Sequence, residues 1–95
     1  MKPTEEEIRN AKTHQLLLWL KDARGGHCSA WLDETTAFSL VYELRHQEGY
    51  DFVLSHGSVE WRAWLGRGEV SVEAEGAAVA TAIARAYLLA KLYGA

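Results

Sequence analysis

Between Tyr50 and Glu75 apolar side chains fall at every second position, and two glycine-containing breaks divide the run into three. Period two places successive side chains on opposite sides of a strand, so the segment reads as an antiparallel sheet with one buried face. Gly57-Ser58 suits a two-residue hairpin loop with glycine first, which predicts Ser55 opposite Glu60, Val53 opposite Arg62 and Asp51 opposite Trp64. Arg67-Gly68 suits a second tight turn, with Leu65 opposite Val70, Ala63 opposite Val72 and Trp61 opposite Ala74. Both registers give the same partition. Tyr50, Phe52, Leu54, Val59, Trp61, Ala63, Leu65, Val70, Val72 and Ala74 share an apolar face. Asp51, Val53, Ser55, Glu60, Arg62, Trp64, Ser71, Glu73 and Glu75 share the other, with Arg62 across from Glu73 as an ion pair.

Helical signals flank this meander. Thr4 and Glu7 form a capping-box pattern, and Ile8, Ala11, Leu16, Trp19 and Leu20 keep helical spacing, predicting one helix over 5–24 that is joined to the rest by Gly25-Gly26. Asp33 to Thr36 supply N-cap side chains for a second helix, whose Ala37, Leu40, Val41 and Leu44 run at i, i+3, i+4, i+7. After Gly76, the Ala-rich stretch from Ala77 to Leu92 predicts the longest helix, with Thr81, Arg85 and Lys91 as a narrow polar stripe. The expectation is a single α+β domain over 1–95 with a 33–92 core, order α-α-β-β-β-α and helices packed on the sheet as an α/β/α sandwich.

Charge narrows the functional classes. Ten basic and thirteen acidic residues leave a net charge of −3, which repels phosphate and gives no general attraction to nucleic acid or anionic lipid. Cys28 is the only cysteine, so no internal disulfide forms, and no apolar run has the length of a membrane span. A cytoplasmic setting is the expectation. His14, His27, Cys28, His46 and His56 fall into no metal-binding spacing, and no nucleophile, base and acid can be assembled. No catalytic residue, metal or cofactor is therefore expected, and the protein is read as a non-enzyme.

Two resemblances bear on function. The order helix, three strands, helix is similar to that of double-stranded RNA-binding domains. Where that family carries a lysine cluster at the start of the last helix, however, this chain has Glu73-Ala74-Glu75-Gly76-Ala77-Ala78. Trp31-Leu32-Asp33-Glu34-Thr35-Thr36-Ala37-Phe38, Tyr42-Glu43-Leu44 and the closing run from Ala74 to Ala90 resemble the phage α/β/α sandwich domain family, although no proline stands near the start of the last helix. That resemblance implies a small phage or prophage protein in a bacterial host; by analogy with small acidic phage proteins that lack a catalytic site, the expectation is contact with a host protein, as an anti-CRISPR-like inhibitor of a host defence effector.

The residues singled out for such contact are Trp64, Arg62 and Val53 on the polar face of the meander and Arg85 and Leu88 on the closing helix. Trp64 has two readings: it is covered by the first helix, or it is exposed for a partner. A homodimer arises if the first helix swings on Gly25-Gly26 to a neighbouring subunit. The alternatives are a nucleic-acid binder using Arg9, Lys12, Lys21 and Arg24, and a self-assembling structural component.

Overall fold

The computed structural model describes residues 3–26 and 32–94; His27, Cys28 and Trp31 lie outside the described residues. The elements are α1 (Glu5–Asn10), α2 (Thr13–Ala23), α3 (Glu34–Gln47), β1 (Asp51–His56), β2 (Trp61–Arg67), β3 (Val70–Gly76) and α4 (Val79–Gly94). The fold is α+β, with strand order β1-β2-β3, antiparallel throughout, and helices packed on the sheet.

Local chemistry accounts for the helix ends. The Thr4 hydroxyl accepts from the Glu7 amide, while the Glu7 carboxylate accepts from the Thr4 amide, closing the capping box. Asp33 caps α3 by accepting from the Thr36 amide at 2.8 Å, and that bond holds its carboxyl below the usual range. The single helix expected over 5–24 is two. Ala11 and Lys12 are extended, with φ/ψ of −69/145 and −83/165, and the Gln15 side chain accepts from the Lys12 amide to start α2. The Ala11 carbonyl freed by this break accepts from Arg85 Nη2 at 2.8 Å. A guanidinium supplied from 74 residues away therefore stabilises a break that carries neither glycine nor proline.

The sheet keeps the expected faces but shifts both registers by two residues. Ser55 lies opposite Arg62, Val53 opposite Trp64 and Asp51 opposite Gly66; Leu65 opposes Val72, Ala63 opposes Ala74 and Trp61 opposes Gly76. Each turn sits one residue later than expected. The first is closed by the Gly57 amide on the Glu60 carbonyl at 2.8 Å, leaving Ser58-Val59 as the loop. The second loop is Gly68-Glu69, where Gly68 takes φ +58°, a left-handed conformation that a side chain disfavours. Moving a two-residue turn by one position moves the pairing by two, which leaves every side chain on its face. Arg62 accordingly pairs with Glu75, at 3.7 Å, and not with Glu73. Val59 falls in the loop and is exposed.

The core forms between the inner face of the sheet and α4. Ala63, Leu65, Val72 and Ala74 meet a helix whose Ala80, Ala82, Ala84, Ala86 and Ala90 are all buried, so its backbone can approach neighbours closely on more than one side. α3 lies alongside α4 through Leu40, Val41 and Leu44. α1 and α2 pack chiefly on α4, burying Ile8, Ala11, Leu16 and Leu20, and Arg9 of α1 reaches the β3 edge at the Glu73 carbonyl. The layering thus differs from a sandwich with a helix on each face, because α4 offers a second apolar side that absorbs the stripe of α1 and α2. Among the described residues no helix crosses the outer face of the sheet, where Asp51, Val53, Ser55, Arg62, Ser71, Glu73 and Glu75 are exposed.

Candidate protein-binding face

Val53 and Trp64 are direct cross-strand neighbours at the middle of this outer face. Val53 is 54% exposed, a large value for an apolar residue in a strand. The Trp64 ring folds back along its own strand onto Gly66, so closely that a Cβ added there would lie 2.3 Å from the ring. Its indole Nε1 donates to Ser71 Oγ at 2.9 Å, across to β3. Glycine at 66 and serine at 71 therefore hold the indole in place over its own strand, half-buried. Neither partner was legible as such in the sequence, although a glycine two residues beyond a tryptophan within a strand is a signal of close approach.

Charge surrounds this apolar pair. Arg62 stands on one side with its exposed pair to Glu75, and Asp51 and Glu73 add further carboxylates. With Glu60 at the loop end of the same face, four acids to one base make it acidic, with a single guanidinium free to rearrange because a screened surface pair at 3.7 Å holds it weakly. Such a surface suits a partner that brings an apolar side chain and basic groups.

Arg85 and Leu88 do not join the face. Arg85 donates from Nη1 to the Glu75 carbonyl at 2.7 Å and from Nη2 to the Ala11 carbonyl at 2.8 Å. Burial lowers its pKa, against an opposing effect of Glu60. It is a brace between α4, β3 and the α1–α2 break. Leu88 is only 5% exposed, lining a cleft of about 280 Å³ between α1, α2 and α4 with Trp19 and Leu92. The narrow polar stripe of the last helix leaves broad apolar sides, and these are packed against the sheet, α3, α1 and α2.

The four basic residues considered for nucleic acid are divided in the same way. Arg9 pairs with Glu5 and donates to the Glu73 carbonyl, and Arg24 Nε lies 3.2 Å from a Glu43 oxygen. Lys12 and Lys21 alone of the four are exposed without such a pair among the described residues. Among those residues no three His, Cys, Asp or Glu side chains gather as a metal site, and no helix is long and apolar enough to cross a membrane. The most perturbed group is Tyr87, whose phenol is pushed well above its ordinary value by burial and by Glu43, to which its hydroxyl donates at 3.5 Å. Tyr87 keeps its proton through the physiological range and packs within the α4 core.

Phe38 and Tyr42, which carry part of the family resemblance but are not among the residues expected to make contacts, stand exposed on α3 off the buried stripe of Ala37, Leu40, Val41 and Leu44. Two aromatics at i and i+4 outside the apolar stripe were the available signal. In comparison with known proteins, the chain matches no family model, no curated protein and no solved structure.

Proposed function

We propose that the protein is a non-enzymatic binding module that holds a host protein through the outer face of its meander, with Val53 and Trp64 as the apolar centre and Arg62 as the adaptable charge. The observation that supports this reading is the bare outer face: the chain's helices all pack elsewhere, and an exposed valine sits beside a pinned tryptophan. Rigid aromatic anchors with a neighbouring arginine are the composition that concentrates binding energy at interfaces. The acidity of the face favours a protein with basic groups over a nucleic acid, whose phosphates it repels.

The role we propose is that of a small phage or prophage accessory protein in the bacterial cytoplasm, inhibiting a host defence effector as anti-CRISPR proteins do. That context rests on the sequence resemblance of the stretch from Trp31 onward. The test is affinity capture from bacterial lysate with the natural chain and with Val53→Glu in parallel. The variant places a charge on an exposed position and leaves the core untouched, so it should remain folded while recovery of the captured protein falls at least about tenfold. Equal recovery by the two chains would remove the outer face from the interface.

A further inference from the structure

α3 carries a second exposed feature, separate from the outer face of the sheet. Phe38 and Tyr42 are 43% and 63% exposed, one turn apart. Phe38 meets Phe52 of β1 edge-on at 6.5 Å, and Tyr42 stacks on His46 with ring centroids 4.1 Å apart. Glu34 and Arg45 flank them at the two ends of the helix, exposed and without an ion-pair partner among the described residues. At 3.6 residues per turn, Glu34, Phe38, Tyr42 and Arg45 fall within an arc of about 80°.

Acid, aromatic, aromatic, base is a self-complementary order. Run antiparallel against itself, it places each carboxylate beside a guanidinium and each phenylalanine beside a tyrosine. We propose that a second copy of this chain docks on this stripe, α3 against α3 about a two-fold axis. Phe38 then packs on Tyr42 of the second copy, and Glu34 meets its Arg45. A two-fold contact uses the same patch on both subunits, which is the property this stripe has and the acidic sheet face lacks.

The sheet edges agree with this placement. In an antiparallel ladder alternate residues of an edge strand point their amide and carbonyl outward. On the β3 edge, the outward carbonyls of Glu73 and Glu75 accept from Arg9 and Arg85. On the β1 edge the outward residues are Phe52, Leu54 and His56, and no such guard reaches them among the described residues. The unguarded edge lies beside the stripe, so a copy docked on α3 obstructs the approach of other strands to it.

Size sets the strength. A helix of 14 residues spans about 21 Å, and one helix-on-helix contact of that length falls short of the roughly 800 Å² per partner of a standard interface. The dimer is therefore weak and concentration-dependent. Sedimentation velocity of the full chain, from micromolar to millimolar at low salt, should show a shift from monomer to dimer. Glu34→Arg or Arg45→Glu alone sets like charges against each other and should weaken association at least about tenfold.

The double variant Glu34→Arg/Arg45→Glu should restore association. Because it reverses the favourable charges at both ends of the α3 dipole, recovery cannot come from a more stable helix. Tyr42→Ala, at an exposed position, should abolish the dimer without moving the thermal midpoint. A monomer at every concentration, a dimer indifferent to the single swaps, or failure of the double swap to restore it would overturn the proposal. Val53→Glu should leave association unchanged, which keeps this contact distinct from the one proposed for the sheet face.

Discussion

Arg85 joins three segments that the chain order keeps far apart: α4, the β3 edge at Glu75 and the α1–α2 break at Ala11. Its Nε finds no acceptor among the described residues, but its two terminal nitrogens satisfy carbonyls that otherwise have no helix or ladder partner. Replacing it with methionine keeps much of the packing and removes both bonds, leaving the part-buried Ala11 carbonyl without its donor while water can reach the exposed Glu75 carbonyl, so urea denaturation should register a loss of about 1–2 kcal/mol. Arg62→Ala, which removes an exposed pair, should cost less than about 1 kcal/mol in the same assay. Gly66→Ala forces a methyl into the Trp64 ring, an overpacking expected to cost about 1–3 kcal/mol. That cost should shrink in a Trp64→Ala background, because the clashing ring is then absent. Tyr87 links stability to alkaline pH. Its folded-state pKa is raised, so the folded chain holds the proton more tightly than the unfolded one. The resulting stability is complete below the ordinary phenol value of about 10 and is lost as pH climbs above it. Tyr87→Phe should flatten the fall in stability above pH 10, measured by denaturation across the alkaline range; an unchanged slope would show that another group governs it.

At the level of elements, the register of β2 on β3 is open to a direct chemical test. Arg62 and Glu75 are a directly opposed pair of the kind whose Cα atoms lie about 4.5 Å apart, whereas Arg62 and Glu73 are diagonal neighbours at about 7–8 Å. With Cys28 changed to serine, Arg62→Cys/Glu75→Cys should cross-link on oxidation. Arg62→Cys/Glu73→Cys should not, since disulfides require the shorter separation; the opposite result would restore the register expected from the turns. The partition of Phe52, Leu54, Ala63, Leu65, Val72 and Ala74 to one face was legible in the sequence because period two survives a two-residue slip. The turns were not. Gly68-Glu69 offers the same glycine as Arg67-Gly68, and a cross-strand contact such as Trp64 with Ser71 decides between them; Ser58-Val59 carries no glycine and takes no positive φ, so no local preference points to it over Gly57-Ser58. The break at Ala11-Lys12 was hidden for a related reason: its stabilising partner is Arg85, far along the chain.

For the whole molecule, the consequence of this packing is where the apolar surfaces end up. A closing helix rich in alanine, apolar on nearly every side, can be satisfied by a sheet on one side and by α3, α1 and α2 on others. That arrangement covers Leu88 and uses Arg85 as a brace, two residues that looked in sequence like an exposed patch. It also leaves α1 and α2 with no remaining reason to cross the sheet, so Trp64, Val53 and Arg62 keep the positions their alternation gave them and stand uncovered. The sequence showed the members of this face and not its freedom, because whether a helix covers a sheet depends on the competing surface that α4 provides. The most direct measurement is side-chain footprinting of the protein, free and bound to the protein it captures. Val53 and Trp64 should label readily in the free chain and become protected on binding, while Phe38 and Tyr42 at equal protein concentration change little. Labelling of Val53 and Trp64 that is the same in the free and bound states would contradict a binding role for the sheet face.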